Sequence, residues 1–141
     1  MSLVYWDTML FIYWLEAHPK HGSQVQRVHR QMSQRGDELC TSVFTMGEIL
    51  TGAYKTGHTS EAEQVRKYFE GDSVRILPFN LEAADRYAKI RAQHRVSPAD
   101  AIHLAAASLA QVDVYLTNDE RLKKLLIDGI QFIVGLDGSI F

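Results

Sequence analysis

Short apolar runs alternate along this chain with longer segments in which apolar residues recur at helical spacing. Five of the short runs are rich in β-branched and aromatic residues, which is typical of buried strands. The predicted strands are residues 3–6, 39–42, 74–77, 114–117 and 131–134. Because helical segments separate these strands, the pattern predicts crossover connections and a mostly parallel sheet.

The segments between the strands carry helix start and stop signals. The predicted helices are residues 9–16, 21–34, 45–55, 60–70 and 81–93, an alanine-rich helix that opens at 97–100, and a short helix at 119–126. Gly36 is expected to end the second helix. Ser60 and Glu63 have the spacing of a capping box, and Ser97 followed by Pro98 is a strong start signal.

This order of elements predicts an α/β protein. We expect a three-layer fold in which a central, mostly parallel five-stranded sheet is covered by helices on both faces. No linker, repeat or low-complexity segment divides the sequence, so residues 1–141 are expected to form a single domain. In such folds, sites form outside the carboxyl ends of the strands.

Composition and charge exclude several classes of protein. The formal net charge of −2 and a pI near 6.3 argue against a protein that coats nucleic acid through bulk charge. The single cysteine, Cys40, cannot form an intramolecular disulfide and is expected in the core. No targeting segment or membrane-spanning apolar run is evident, so a cytoplasmic location away from membranes is expected.

Four acidic residues fall near the predicted ends of strands or on the helices beside them. Asp7 follows the first strand, Asp119 follows the fourth, and Asp100 opens the alanine-rich helix. Glu48 lies off the apolar stripe of helix 45–55. If these carboxylates converged, each like-charged contact at about 4 Å would cost roughly 4 kcal/mol at an effective dielectric of 20. Divalent cations or protonation would relieve that repulsion.

Each of these acids also has a purely structural explanation. Asp7 could cap the following helix, and Asp100 and Asp119 could each occupy a first helical turn. Glu48 could be a solvated residue that pairs with Lys55. Capping does not explain, however, why four acids coincide with one predicted edge of the sheet.

The acidic segments carry a specific resemblance. VYWDT, TMGEILTG, SPADAIHLAAA and LTND stand in the order of the acidic motifs of PIN domains, and they are most similar to those of VapC-type ribonuclease toxins from type II toxin–antitoxin systems. The resemblance spans nearly the whole chain, from Asp7 to Asp119, and agrees with the length of that family. The fold that it implies is a five-stranded parallel sheet with flanking helices.

The resemblance implies a site and its partners. Asp7, Glu48, Asp100 and Asp119 would be the catalytic and metal-binding acids, with one or two Mg²⁺ or Mn²⁺ ions, and oxygen-only ligands suit such hard cations. The hydroxyl residues that would support them are Thr8, Thr45 and Thr117. An RNA substrate, a cognate antitoxin protein and a homodimer are also implied. The apolar residues expected to suit an interface are Leu50, Tyr54, Tyr68 and Phe69.

The function predicted on this basis is metal-dependent endonucleolytic cleavage of RNA phosphodiester bonds by the toxin of a toxin–antitoxin pair. A non-catalytic PIN-like module that binds RNA or protein, and a housekeeping nuclease, are the alternatives. The role of His103, three residues after Asp100 on the same helix, stays open between packing and support of a ligand. A nucleotide-cofactor enzyme is not supported, since the sequence has no GxGxxG or P-loop motif.

Overall fold

The computed structural model describes residues 1–137, which form a sheet of five strands and six α-helices. The strands are β1 (Leu3–Trp6), β2 (Glu38–Ser42), β3 (Arg75–Leu77), β4 (Val114–Leu116) and β5 (Phe132–Val134). The helices are α1 (Thr8–Leu15), α2 (Gly22–Arg35), α3 (Val43–Lys55), α4 (Thr59–Glu70), α5 (Leu81–Gln93) and α6 (Pro98–Leu109). Every predicted strand is therefore present within one or two residues of its expected bounds.

The sheet has the order β3-β2-β1-β4-β5, and all four neighbouring pairs are parallel. The central strand, β1, pairs with β2 on one side and with β4 on the other. Trp6, the last residue of β1, lies opposite Leu116, the last residue of β4. These two strands therefore end side by side, and the residues that follow them leave the sheet at the same place.

Helices cover both faces of the sheet, as the sequence predicts. In β1, Val4 and Trp6 face a core that contains residues of α1, α2, α3 and α4, whereas Tyr5 faces a second core formed with α5 and α6. The alternation follows from the two-residue period of a strand. In α6 the buried residues include Ala105 and Ala106, whose small side chains permit close packing.

Several local predictions are confirmed. Gly36 ends α2 in the left-handed conformation that favours glycine. Ser97 caps α6 by accepting a hydrogen bond from the backbone N–H of Asp100, with Pro98 at the first helical position. Cys40 is fully buried in the core beside Tyr5.

The predicted helix at 119–126 is wrong. Only a 3₁₀ turn, Leu122–Lys124, forms there, and Leu125 is already extended. The reason lies in the side chain of Asp119, because its Oδ1 accepts a hydrogen bond from the backbone N–H of Arg121 at 2.9 Å. A local bond of this kind competes with the helical pattern.

Two further expectations need correction. The capping box at Ser60 does not form, because α4 begins one residue earlier, at Thr59, and its N-cap His58 makes no side-chain cap bond. Phe69, expected at an interface, is only 6 % exposed and belongs to the first core. Tyr54 is half-exposed, as an interface residue would be.

Within residues 1–137, none of the helices combines the length and the apolar character that crossing a membrane requires.

Candidate active site

The paired ends of β1 and β4 bring Asp7 beside Thr117. The backbone N–H of Asp7 donates to the carbonyl oxygen of Leu116 at 3.2 Å, which continues the pairing of the two strands by one residue. The hydroxyl of Thr117 donates to Oδ2 of Asp7. The other carboxylate oxygen of Asp7, Oδ1, accepts from the backbone N–H of Leu10 at 3.4 Å and so caps α1. The position of Asp7 is thus defined by both a strand and a helix.

Thr117 also connects Asp7 to Asp119. Its hydroxyl oxygen accepts a hydrogen bond from the backbone N–H of Asp119 at 3.1 Å while its hydrogen goes to Asp7. Thr117 is fully buried, so both bonds are sheltered from water. One side chain therefore ties together the acids that follow β1 and β4.

Glu48 reaches the same region from α3. Its Oε1 accepts a hydrogen bond from the hydroxyl of Thr8 and lies 2.7 Å from Nε2 of His103 on α6. Thr8 directly follows Asp7 in the chain, so this contact links Glu48 to the end of β1. The suggested pairing of Glu48 with Lys55 is not present, since Glu48 instead forms an ion pair with His103 when that ring is protonated.

Tyr5 and Tyr115 form the buried floor beneath these groups. Their rings stack with centroids 4.9 Å apart, and the Tyr5 hydroxyl lies 2.6 Å from Nδ1 of His103. Burial raises the pKa of Tyr115 well above its ordinary value, and electrostatic interactions with Tyr5, Asp7, Asp100 and Glu48 raise it further. The hydroxyl of Tyr115 therefore interacts electrostatically with Asp7, Asp100 and Glu48, which places these three acids in one region of the molecule.

Asp100 and Asp119 are the remaining two of the four acids. Asp100 is partly buried in the first turn of α6. Asp119 forms an ion pair with Arg121, in which Nη2 lies 2.8 Å from Oδ2. The hydrogen bonds from Arg121 lower the pKa of Asp119, although partial burial opposes them. The pKa of Arg121 is raised, chiefly by its hydrogen bond to Asp119.

The pKa values of Asp7 and Glu48 are shifted in opposite directions. Burial raises the pKa of Asp7, and the hydrogen bond from Thr117 only partly offsets this effect. Burial also acts to raise the pKa of Glu48, but the hydrogen bonds from His103 and Thr8 outweigh it, so that this pKa is lowered. Asp7 is therefore the acid whose negative charge is least compensated by the protein.

The predicted supporting hydroxyls separate into two groups. Thr8 and Thr117 contact the acids directly, as described above. Thr45 instead lies 2.7 Å from the hydroxyl of Thr41, and its hydrogen bond to Tyr5 only partly opposes the burial that raises the pKa of Tyr5. Thr45 thus contacts the floor of the site and not its carboxylates.

His103 is the group whose role the sequence left open. It is only 4 % exposed and contacts both Glu48 and Tyr5. Its spacing of three residues from Asp100 was the available signal, since such residues share a helical face. The bond to Tyr5 spans 98 positions in the chain, and nothing in the local pattern indicates it.

The residues present suit a hard divalent cation. All four acids offer oxygen donors, the preferred ligands of Mg²⁺ and Mn²⁺. The Asp7 carboxylate carries a raised pKa through burial, and the buried hydroxyl oxygen of Tyr115 has no hydrogen-bond partner among the described residues. A nearby cation would stabilise the ionised form of Asp7. Among residues 1–137, however, no three or more His, Cys, Asp or Glu side chains are already arranged as a metal cage; Glu48 and Asp119 are directed to protein partners.

The sequence of the chain matches the family model described as PIN domain over residues 4–126. A search of curated proteins by sequence finds no match.

Comparison with solved structures gives similar folds. The VapBC2 complex of Rickettsia felis, bound to a DNA fragment from its promoter, contains a chain with 14 % identity and a TM-score of 0.75, with 94 % of this chain and 98 % of that chain covered. The VapC20 toxin of Mycobacterium tuberculosis, described as cleaving the sarcin–ricin loop, has 14 % identity and a TM-score of 0.71 over 87 % of this chain and 96 % of that one. The DNA-bound VapBC of Salmonella typhimurium has 24 % identity and a TM-score of 0.68 over 96 % and 99 %.

Proposed function

The chain belongs to the PIN domain family, and from this premise we propose that it is a metal-dependent endoribonuclease. The observation that carries the proposal is the hydrogen-bonded arrangement in which Thr117 joins Asp7 to Asp119, while Thr8, the residue after Asp7, holds Glu48. Capping and solvation account for single acids, but they do not account for this connection between three of them.

Asp7, Glu48, Asp100 and Asp119 would hold the cation. When bound, a divalent cation supplies an activated water at neutral pH and offsets negative charge on the phosphate that is cleaved. The acids alone would repel a phosphodiester, since like charges about 4 Å apart cost roughly 4 kcal/mol at an effective dielectric of 20. The site therefore depends on the cation for substrate binding as well as for cleavage.

The surrounding side chains hold the acids in place. Thr117 fixes one oxygen of Asp7 and the backbone of Asp119, so these two acids move together. Thr8 and His103 fix Oε1 of Glu48. Supporting hydrogen bonds of this kind orient metal ligands and raise affinity for the metal.

RNA is the proposed substrate because the family resemblance of the acidic motifs points to ribonuclease toxins, and the VapC20 toxin is described as cleaving the sarcin–ricin loop. Single-stranded or looped RNA would suit a site at a sheet edge, because its phosphates and bases are accessible. In keeping with the same resemblance, we propose that the chain is the toxin of a toxin–antitoxin pair and acts in the cytoplasm. Four of the similar structures are described as VapBC proteins, and two of these are bound to DNA.

The decisive experiment is cleavage of total RNA by the purified chain with Mg²⁺ or Mn²⁺, with EDTA, and by the Asp100→Asn variant. We expect cleavage that requires the metal and that the variant lacks. Asp85→Asn is the matched control, because it makes the same chemical change on the exposed surface of α5, where Asp85 pairs with Lys89 at 3.0 Å. Equal cleavage by wild type and Asp100→Asn would refute the proposal.

A second candidate, a module that binds RNA or protein without cutting it, is favoured by one observation. The described side chains form no ready metal cage, and Arg121 already pairs with Asp119. Under this alternative no cation would bind at the acids, which calorimetry detects directly. A housekeeping nuclease would cut RNA like a toxin but would not arrest growth when its gene is induced.

The proposed homodimer is open to a separate test. One chain has a mass of 16.0 kDa, so light scattering after gel filtration should give twice that value for the purified protein. The half-exposed Tyr54 on α3 is a candidate contact, and Tyr54→Asp should shift the mass toward that of the monomer. A monomeric mass for the wild type at all concentrations would contradict the dimer.

A further inference from the structure

The buried imidazole of His103 connects the floor of the site to one of its acids. Nδ1 lies 2.6 Å from the Tyr5 hydroxyl, and Nε2 lies 2.7 Å from Oε1 of Glu48. The ring also packs edge-on against Phe44, with centroids 5.4 Å apart. Because contacts on several sides enclose the ring, its orientation is fixed, and the remaining question is which nitrogen carries the hydrogen.

The hydrogens around Tyr5 answer that question. The backbone N–H of Ser42 donates to the Tyr5 oxygen at 3.2 Å. A tyrosine hydroxyl keeps its hydrogen at neutral pH, so the fully buried Tyr5 has a hydrogen to donate. Thr41 donates to the carbonyl oxygen of Trp6, so in the contact between the two threonines Thr45 is the donor. The shortest contact of the Tyr5 hydroxyl is with Nδ1 of His103, which is where its hydrogen goes.

A ring that accepts at Nδ1 carries its hydrogen at Nε2 when it is neutral. That Nε2–H points at Oε1 of Glu48. The hydroxyl of Thr8 donates to the same oxygen. Two donors therefore saturate Oε1, whereas Oε2 makes no hydrogen bond to any of residues 1–137. The two oxygens of one carboxylate are thus differentiated, with one anchored to the protein and the other left available.

We propose that His103 is a positioning residue, which Tyr5 holds as the Nε2–H tautomer so that it anchors Oε1 of Glu48 and leaves Oε2 to face the cation. The part of this proposal that concerns the cation rests on the proposed function. The part that concerns the tautomer does not, because it follows from Tyr5, Ser42 and Glu48 alone. The two parts can therefore be tested separately.

The tautomer is measured by nitrogen-15 NMR of the histidine rings in the metal-free protein at about pH 8, where an ordinary imidazole is neutral. We expect the His103 signals to show hydrogen on Nε2, with His103→Gln used to assign them. In Tyr5→Phe, which removes the donor to Nδ1, we expect a mixture of the two tautomers. Hydrogen on Nδ1 in the wild type would overturn the proposal, as would an unchanged pattern in Tyr5→Phe.

The positioning role is tested by two amides of equal polarity. In His103→Gln the side-chain N–H₂ reaches about as far as Nε2 and can still donate to Glu48. The shorter side chain of His103→Asn corresponds to Nδ1, so it can still contact Tyr5 but does not reach Glu48. Since supporting partners of metal ligands change affinity or activity by roughly 10–100-fold, we expect Asn to weaken Mn²⁺ binding by about that factor and Gln to restore most of it.

A purely structural role for His103 predicts a different result. Both amides would then lower thermal stability alike and would weaken Mn²⁺ binding alike, and that outcome would overturn the positioning role. Mn²⁺ binding is measured by calorimetry without RNA. If the wild type binds Mn²⁺ but cuts no RNA, the proposed nuclease fails, whereas the contrast between Gln and Asn still decides the role of His103.

Discussion

Acidic side chains lie at both ends of the parallel strands. The acids at the amino-terminal ends, here called the amino edge, have different kinds of partner from those at the carboxyl-terminal ends, here called the carboxyl edge. At the amino edge, Asp37 precedes β2 and Asp113 precedes β4. Asp37 accepts a hydrogen bond from the backbone N–H of Ser2 at 2.8 Å, and its other oxygen lies 3.3 Å from Nε of Arg35. Asp113 accepts from the backbone N–H of Leu3 at 2.8 Å. These acids hold the start of β1 in place.

At the carboxyl edge the partners are mostly side chains that orient a carboxylate without cancelling its charge. Thr117 donates to Asp7, and Thr8 and His103 contact Glu48. Burial raises the pKa of Asp7, which means that its negative charge is held at a cost. Under the proposed function, position at a sheet edge is not sufficient to make an acid functional; its carboxylate must also be oriented and able to bind a cation.

The largest effect is expected from Asp7→Asn. Loss of one ligand should remove several kcal/mol of stabilisation from the transition state, or about 1,000-fold in kcat/KM for RNA cleavage. The same change should raise the melting temperature, because it removes a buried charge; about 1 kcal/mol corresponds to roughly 4 °C for a chain of this length. A variant that is both inactive and less stable would place Asp7 with the structural acids.

The opposite pattern is expected from Asp37→Ala at the amino edge. The change removes the acceptor of the Ser2 N–H and breaks the ion pair between Asp37 and Arg35, so it should lower the free energy of unfolding by about 1–3 kcal/mol. Activity per folded molecule should not change. Glu38→Ala, at an exposed neighbouring position, is the control and should cost less than about 0.5 kcal/mol. Loss of cleavage by folded Asp37→Ala would contradict the purely structural role of the acids at the amino edge.

The pH dependence of stability should distinguish Asp7 from Glu48. The pKa of Asp7 is raised above 3.8, so ionising it costs stability as the pH increases through its folded pKa. The pKa of Glu48 is lowered below 4.5, so its contribution is present above 4.5 and is lost as the pH falls through its folded pKa. As the pH rises from about 3 to about 7, Asp7→Asn should become more stable relative to the wild type. Over the same range, Glu48→Gln should become less stable relative to the wild type.

Urea unfolding at each pH value measures both differences. We expect each to be of the order of 1 kcal/mol. Parallel curves for the two variants would contradict the opposite directions of the two pKa shifts.

The smallest effect is expected from Arg121→Gln. The side chain of Arg121 is 83 % exposed, and ion pairs on a surface contribute little to stability. The free energy of unfolding should therefore stay close to that of the wild type, while the pKa of Asp119 should move up toward its ordinary value. An NMR titration of the Asp119 carboxyl checks the second point, and an unchanged pKa would show that Arg121 does not compensate Asp119.

The sequence was sufficient for the features that depend on local pattern. The apolar runs predicted β1 and β4, and the order of the strands and helices predicted the parallel sheet. Ser97 with Pro98 predicted the start of α6. Such signals are local because strand burial and helix capping involve residues close together in the chain.

Features that depend on long-range contacts were not predictable in the same way. The bond between Tyr5 and His103 joins two elements that the sequence reads only as a strand and a helix. Thr45 was expected beside the acids, but the turn of α3 directs its hydroxyl toward Thr41. At Asp119 a short-range side-chain bond to Arg121 replaced the predicted helix. In each case the result was decided by the direction of a side chain, which periodicity does not specify.

The most direct test of the comparison is calorimetric titration of Mn²⁺ into wild type, Asp100→Asn and Asp37→Asn. The last two variants make the same chemical change at opposite edges of the sheet. We predict that Mn²⁺ binds to the wild type and to folded Asp37→Asn with similar affinity, and that Asp100→Asn binds it at least about tenfold more weakly. Equal binding by Asp100→Asn and the wild type, or loss of binding in folded Asp37→Asn, would contradict the assignment of the carboxyl edge as the site.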